Sequence, residues 1–272
     1  MTCKDKLHQL ARERKALLAT NFYNFETLKG ILQAAEKLGS SLILQLSESS
    51  LRYLGIKPAI AMARAMLLET GVQGWVHLDH GGSVDIVRSC LDAGFDSVMI
   101  DASECSFDEN ARITREVVKI AEPYGANVEA ELGYVAKLGQ KQVLEPTGAG
   151  EAQRFAEATG IDALAVAIGN AHGFYKDPPV LRLDRLREIR SSVSCALVLH
   201  GSSGIPDDQL SEAVRSGISK INLATETKNT FMTRLQQVLR DNDEIDLRQV
   251  FPPATQAVTE LITAKLNTIN RA

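Results

Sequence analysis

The segment Trp75-Val76-His77-Leu78-Asp79-His80-Gly81 is a short run of β-forming and apolar residues that ends in polar groups and glycine. It predicts a strand over Trp75–Asp79. A helical pattern follows over Val84–Ala93, and Gly94 then suits the left-handed conformation that commonly closes a helix. The segment therefore predicts one strand–helix unit whose polar groups lie where the strand ends.

The same unit recurs along the chain. The predicted strands are Ala16–Phe22, Ser41–Ser47, Trp75–Asp79, Ser97–Asp101, Asn127–Leu132, Ala163–Ile168, Ala196–Leu199 and Lys220–Leu223. The helices that follow them are predicted at Glu26–Leu38, Pro58–Glu69, Val84–Ala93, Glu109–Glu122, Glu151–Thr159, Asp184–Val193, Pro206–Ser216 and Glu226–Arg240. An N-terminal helix over Lys4–Arg14 and an extra C-terminal helix over Pro253–Ile269 complete the set.

Eight strand–helix units in about 250 residues match an α/β fold of the closed (β/α)8 type, the TIM barrel. An open, doubly wound sheet is the alternative. The even spacing and the lack of Gly-x-Gly-x-x-Gly after the first strand favour the closed barrel. Because no linker-like change of composition occurs, residues 1–272 are predicted to form a single domain.

Composition narrows the class of protein. A hydrophobic content of 44% and a charged content of 24% describe an ordinary globule with a large core. A net charge of −4 predicts no nucleic-acid surface, and no apolar run approaches the ~18 residues of a membrane span. The four cysteines lack Cys-x-x-Cys spacing and the N-terminus lacks an apolar signal core, which together predict a cytoplasmic protein.

Three of the five histidines are followed directly by glycine, as His80-Gly81, His172-Gly173 and His200-Gly201. Each pair lies at the carboxyl end of a predicted strand, and a closed barrel brings those ends to one rim. Neutral imidazoles that converge with open coordination positions are typical of a catalytic transition-metal site. A hydrogen bond in the core would explain any one of these histidines, but the three together favour a metal site.

Carboxylates lie beside the predicted ligands. Asp79 precedes His80, where it can either shuttle a proton to a substrate hydroxyl or orient the imidazole. Asp101 ends the fourth predicted strand, and Glu129 and Glu131 alternate along the fifth. These acids either neutralise cations at the rim or pair with lysine and arginine, and their position at strand ends favours the rim.

Two turns predict a phosphate site. Gly201-Ser202-Ser203-Gly204 follows the seventh predicted strand, and Asn222-Leu223-Ala224-Thr225 ends the eighth. In barrels, the loops after these strands often hold phosphate with backbone N–H groups, hydroxyls and a helix N-terminus. The two longest connections, Gly133–Gly150 and Gly169–Leu183, also follow strands, and they are either lids over the site or surface insertions.

These motifs occur in an order that resembles the class II, metal-dependent ketose-bisphosphate aldolase family, which includes fructose- and tagatose-1,6-bisphosphate aldolases. The resemblance runs from Asn21 to about Phe231. The matching segments are His77-Leu78-Asp79-His80-Gly81, Ser97–Asp101, Val128–Gly133, Leu164–Gly173, Leu197–Ser203 and Lys220–Glu226. The resemblance implies a TIM barrel that cleaves or forms a phosphorylated ketose, giving dihydroxyacetone phosphate and an aldehyde through a metal-stabilised enediolate.

The resemblance also implies roles for individual residues. His80, His172 and His200 would hold one catalytic Zn²⁺, while Asp101 and Glu131 match positions that can hold a second divalent or monovalent cation. Asp79 would exchange a proton with the substrate's C4 hydroxyl or with the aldehyde oxygen, and Asn222 would lie beside the enediolate. The implied substrate-binding residues are Asn24, Ser47, Gly173, Gly201, Ser202, Ser203, Asn222, Ala224 and Thr225. The implied partners are a small-molecule sugar phosphate and further copies of the chain in a homodimer or homotetramer.

The sequence departs from the family pattern at three places, one of which is the C-terminal tail, which lacks a clear match. The loop after the fifth predicted strand has no acidic residue before Glu145, whereas the family commonly has one there that moves the enediolate proton. Ser49 and Ser50 occupy positions where smaller residues are usual. Three alternatives stay open: the same mechanism on an unusual sugar phosphate, a non-catalytic paralogue that binds sugar phosphate or supports a partner enzyme, and a metal-dependent sugar-phosphate isomerase or epimerase that uses the same site.

Overall fold

Eight parallel strands form the centre of the computed structural model, which describes residues 1–133, 146–175, 179–240 and 242–272. Each strand pairs with the next, and the first pairs with the last, so the sheet closes into a barrel. The strands are β1 (Leu17–Asn21), β2 (Leu42–Ser47), β3 (Gly74–Gly81), β4 (Ser97–Ile100), β5 (Asn127–Leu132), β6 (Ala163–Val166), β7 (Ala196–Leu199) and β8 (Ile218–Leu223). The predicted (β/α)8 fold is confirmed.

Helices surround the barrel. They are α1 (Cys3–Glu13), α2 (Phe25–Leu38), α3 (Glu48–Leu54), α4 (Ile56–Thr70), α5 (Val84–Asp92), α6 (Phe107–Ala121), α7 (Ala149–Thr159), α8 (Leu183–Ser192), α9 (Asp207–Arg215), α10 (Thr225–Arg240), α11 (Leu247–Val250) and α12 (Pro252–Asn270). The N-terminal and extra C-terminal helices are confirmed as α1 and α12. No helix in the described ranges is both long and apolar enough to cross a membrane.

The sequence prediction missed the short helices α3 and α11. A helix of four to seven residues does not repeat often enough to give a periodic pattern. Both helices are fixed instead by an N-terminal cap. At α3 the Ser47 hydroxyl accepts a hydrogen bond from the backbone N–H of Ser50, and at α11 the Asp246 carboxylate accepts one from the backbone N–H of Arg248. Strand β6 ends two residues before its predicted end because Ala167 pairs with Thr147 through both of its backbone groups.

The amino-terminal end of the barrel is closed by an apolar floor. Alternation along the strands turns Ile43, Trp75 and Val198 inward, and these side chains form one buried cluster with Leu7 and Leu10 of α1. The outward-facing strand residues belong to a separate, larger cluster beneath the surrounding helices. The helix α1 therefore seals one end of the barrel, and the carboxyl ends of all eight strands meet at the other.

Candidate metal centre and active site

The three predicted histidine ligands meet at the carboxyl-end rim of the barrel. The ring centroid of His80 lies 4.9 Å from that of His172 and 4.8 Å from that of His200, and the last two are 5.6 Å apart. Ligand-type atoms of these histidines and of Glu131 all lie within 4.8 Å of one another. The fold thus brings together, from four different strands or the loops that follow them, a set of groups that can hold one metal ion.

Each nitrogen of His80 has a separate partner. Nδ1 lies 2.6 Å from Oδ2 of Asp101, and Nε2 lies 3.0 Å from Nδ1 of His200. Burial alone would lower the pKa of His80, but the Asp79 charge and the Asp101 hydrogen bond outweigh it and raise the pKa to about 9. Burial would raise the pKa of Asp101, yet the His80 hydrogen bond holds it well below its ordinary value. Asp101 therefore stays ionised and fixes the orientation of the imidazole.

His200 is fully buried, and its contacts with Glu129 and Asn222 are made by the ring nitrogen that faces away from His80. Its Nε2 lies 2.8 Å from Oε1 of Glu129 and 3.1 Å from Nδ2 of Asn222, while its Nδ1 faces His80. Burial, and then the neighbouring charge of His80, hold the pKa of His200 well below its usual value. A neutral imidazole is the form that binds a metal, so the surroundings favour ligation.

Asp79 lies next to this cluster without being one of its four converging residues. Its Oδ2 accepts a hydrogen bond of 2.9 Å from Asn21, which in turn accepts one of 3.0 Å from Gln45. Its Oδ1 lies 3.5 Å from Nδ2 of Asn222 and 3.9 Å from Nε2 of His80. Burial would raise the pKa of Asp79, but the positive charge of His80 outweighs it and lowers the pKa. An oriented, ionised carboxylate can accept a proton at this position.

The donor set fits a divalent cation of the zinc type. Three imidazoles and a carboxylate are ligands that zinc commonly takes. The nitrogens of His80 and His200 that face away from the cluster are held by carboxylates, which is the arrangement found around metal-ligating histidines.

A small cavity of about 50 Å³ opens beside the histidines. The predicted substrate-binding residues among its described lining are Gly173, Gly201, Ser203, Asn222, Ala224 and Thr225. The turns after β7 and β8 thus meet at one cavity, and Thr225, the first residue of α10, also lines it.

Gly201 allows the two loops that form this wall of the cavity to pack closely against each other. Its φ is +64°, and a Cβ atom there would lie 2.1 Å from the carbonyl oxygen of Ala171. The hydroxyl of Tyr175 bridges the same two loops, since it accepts from the Ala171 N–H at 2.7 Å and donates to the Gly201 carbonyl at 2.9 Å. The loops that carry His172 and His200 are therefore fixed against each other.

Three further residues predicted to bind substrate, Asn24, Ser47 and Ser202, are absent from the described lining of the cavity, and each has a structural contact instead. Asn24 caps α2 by accepting from the N–H of Thr27 at 2.9 Å, and Ser47 caps α3. Ser202 donates to the carbonyl of Asn222 at 2.6 Å. Substrate binding by these three side chains stays a prediction, as does cation binding by Asp101. Glu145 and most of the Gly133–Gly150 connection lie outside the described residues.

Lys220 and Asn21 contact the site residues and Gln45 contacts Asn21, but these three were not among the residues predicted to form the site. Lys220 is fully buried inside the barrel, where its Nζ donates to Oε2 of Glu129 at 2.8 Å. Its position on the inward face of β8, two residues before Asn222, could have been read from strand alternation. Its pairing with Glu129 depends on how β5 faces β8 across the barrel, which alternation does not give.

A closed parallel barrel that gathers histidines, carboxylates and a carboxamide at the carboxyl ends of its strands defines an enzyme of the (β/α)8 class. The model of the class-II fructose-bisphosphate aldolase family matches residues 1–272, and the chain belongs to that family. It is an aldolase, and hence a lyase, and class-II membership implies a divalent metal and a sugar-phosphate substrate.

Comparison with individual relatives supports the same family assignment. The chain is 37% identical over 275 residues to a fructose-bisphosphate aldolase of Geobacillus stearothermophilus, covering 98% of this chain and 95% of the relative. It is 40% identical over 255 residues to a probable fructose-bisphosphate aldolase of Bacillus subtilis, covering 90% and 89%. The crystal structure of the YdjI aldolase from Escherichia coli superposes with a TM-score of 0.88 at 32% identity, covering 98% and 96%. These relatives do not favour a non-catalytic paralogue.

Proposed function

We propose that this chain is a zinc-dependent aldolase that cleaves or forms a phosphorylated ketose of the fructose- or tagatose-bisphosphate type, giving dihydroxyacetone phosphate and an aldehyde. The observation that carries the proposal is the convergence of His80, His172, His200 and Glu131 beside the carboxylate of Asp79. When bound by these four residues, a zinc ion would supply a Lewis acid for the carbonyl and adjacent hydroxyl oxygens of the ketose.

Asp79 is the residue proposed to move the proton. In cleavage, the bond between C3 and C4 breaks, the C4 hydroxyl becomes the aldehyde, and the hydroxyl proton passes to the Asp79 carboxylate. The electron pair of the broken bond stays on the three-carbon fragment, which becomes dihydroxyacetone phosphate when its C3 takes up a proton. Asn21 holds one Asp79 oxygen at 2.9 Å, so the other is directed toward Asn222 and His80, where the reacting carbons would lie.

The turns after β7 and β8 are proposed to bind the phosphate of the triose half. Gly201 and Gly173 line the cavity and have no side chain to block their backbone N–H groups, and Thr225 begins α10, whose N-terminus favours an anion. Phosphate binding away from the reacting bond holds the substrate in register, and that binding energy can be used for catalysis.

An assay on a panel of ketose phosphates, with the bound metal quantified in the same preparation, tests the proposal. Cleavage of at least one ketose 1-phosphate or bisphosphate, with about one zinc per chain, is expected from the four-residue cluster. Activity that survives both metal stripping and the substitution His172→Ala would overturn the zinc mechanism.

Exchange of tritium from labelled dihydroxyacetone phosphate tests the half-reaction separately. An aldolase removes and returns a proton at C3 of the triose even without an aldehyde, so loss of label is expected. A protein that only binds the sugar phosphate would leave the label untouched, whatever its affinity.

A second divalent or monovalent cation near Asp101, a homodimeric or homotetrameric state and a cytoplasmic location are part of the same proposal. They are supported by the family resemblance and, for location, by the unpaired cysteines, three of which are buried. Sedimentation of the metal-loaded enzyme measures the oligomeric state directly.

A further inference from the structure

A lysine buried in a protein interior is costly unless its charge is paired. Lys220 has no exposed surface and lies within the barrel, between the apolar floor and the histidine cluster. Its Nζ donates to Oε2 of Glu129 at 2.8 Å and lies 3.3 Å from Nε2 of His77. The proposed aldolase chemistry gives this ammonium group no contact with substrate, so its presence needs a separate reason.

The hydrogen bonds around Lys220 have one consistent direction. An ammonium group can only donate, so both Glu129 and Nε2 of His77 accept from it. His77 must then carry its proton on Nδ1, which lies 2.6 Å from the hydroxyl oxygen of Ser97. Burial, and then the charge of Lys220, hold the pKa of His77 well below its usual value, which agrees with a neutral, accepting imidazole.

On the other side, Glu129 faces the histidine cluster. Its Oε1 lies 2.8 Å from Nε2 of His200, and both side chains are fully buried. A carboxylate accepts here, so His200 carries its proton on Nε2 and directs the lone pair of Nδ1 toward His80. That lone pair is the one that a cation in the cluster would use. Nδ2 of Asn222, 3.1 Å from Nε2 of His200, is itself a donor and makes no hydrogen bond to it in this tautomer.

We infer that Lys220 is a positioning residue: by holding the Glu129 carboxylate it fixes the Nε2–H tautomer of His200 and keeps Nδ1 free for the metal. The inference rests on the proposed metal function. Without the ammonium group, Glu129 loses the donor that fixes its second oxygen, and His200 loses the fixed acceptor that selects its tautomer. Metal affinity then falls although no ligand has been changed.

The test measures zinc affinity by competition with a chromogenic chelator, in the absence of substrate. Removal of an outer partner of a metal-ligating histidine typically costs about 10–100-fold in affinity. We expect a loss in that range for Lys220→Met. The double variant Lys220→Met/Glu129→Met removes both buried charges together, so it leaves no unpaired carboxylate, and we expect the same loss from it.

Lys265→Met is the matched control. Lys265 is also nearly buried, but it lies on α12 and forms its ion pairs with Asp207 and Glu226, outside the barrel interior. We expect this variant to be less stable than the wild type and to bind zinc within about twofold of it.

A second measurement requires no variant. Long-range ¹H–¹⁵N spectra of the histidine-labelled, metal-free wild type report the tautomer of each imidazole, and His200 is expected as Nε2–H and His77 as Nδ1–H. A His200 proton on Nδ1 overturns the inference, as does a folded Lys220→Met/Glu129→Met variant with wild-type zinc affinity. A wild type that binds no zinc would instead overturn the proposed function.

Discussion

Nδ1 of His80 lies 2.6 Å from Oδ2 of Asp101, and this contact determines which nitrogen the imidazole presents to the other histidines. Asp101 is itself held in place, since its other oxygen accepts from the backbone N–H and the hydroxyl of Ser103 at 3.2 and 2.7 Å. The orientation of His80 is therefore set by the loop after β4 as much as by its own strand.

The first prediction concerns this contact. Replacing Asp101 by alanine removes the group that orients His80, and zinc affinity is expected to fall by about 10–100-fold. Chelator competition measures the change. Asp96→Asn is the control, because Asp96 lies just before the same strand but bonds the N–H of Val76 at the opposite end of the barrel. Equal affinities in the two variants would contradict the role of Asp101.

Metal removal gives the second prediction. Exhaustive chelation is expected to abolish ketose cleavage by the wild type, and zinc or cobalt to restore it, because the cluster supplies the groups for one divalent ion. In the His172→Ala variant, added metal is expected to restore little of the cleavage activity, since one of the four converging residues is gone. Circular dichroism of the stripped protein checks that the loss does not come from unfolding.

The third prediction separates proton transfer from metal binding. Asp79→Asn keeps the hydrogen bond from Asn21 in shape but cannot accept a proton, so kcat is expected to fall by about 10²–10⁴-fold. The zinc content is expected to stay near that of the wild type, because Asp79 is not one of the four converging residues. A loss of zinc in step with the loss of activity would show that Asp79 acts mainly on the ligands.

The fourth prediction compares two glycines with nearly equal φ. Gly201→Ala combines a left-handed backbone at +64° with a Cβ atom 2.1 Å from the Ala171 carbonyl, so the loops that carry His172 and His200 must move apart. Gly39→Ala has φ +59° and open space around the new atom. Thermal unfolding is expected to show a loss of about 1 kcal/mol for Gly39→Ala and clearly more for Gly201→Ala, which alone loses activity.

The fifth prediction concerns cysteine reactivity. Burial raises the pKa of the Cys3 and Cys90 thiols to about 12 and that of Cys195 to about 11, whereas Cys105 is exposed. Only the thiolate reacts, so below these raised values the buried thiols stay protonated and inert. Mass spectrometry after brief iodoacetamide treatment at pH 8 is expected to find Cys105 alkylated and the other three unmodified. Early labelling of Cys3 would show that α1 opens readily.

The fold could be predicted from the sequence because the strand–helix unit repeats. Each unit has the same local signals, namely a short apolar strand followed by a segment of helical periodicity. Strands β5 and β7 have the predicted bounds, since alternating and apolar residues define both ends. The helix α3 was missed because its cause is one serine hydroxyl at Ser47 rather than a pattern. Local signals thus give the repeated elements and miss those fixed by a single contact.

The candidate site could be predicted only in part for a related reason. The three His-Gly pairs mark the rim because all parallel strands end there, so their convergence follows from closure of the barrel. Strand alternation gives no distances across the interior. The contacts of Asp101 with His80, and of Lys220 with Glu129, depend on side chains from strands that are distant in sequence, and these appear only in three dimensions.

The position of α1 affects the electrostatics of the barrel interior as well as closing its amino-terminal end. By packing Leu7 and Leu10 against the barrel floor, it keeps water from reaching the interior charges from below. Bulk water would weaken every attraction between those charges severalfold. A helix far from the reacting carbons thereby keeps water out of the barrel interior. Loosening α1 is expected to lower the metal affinity at the opposite end of the barrel.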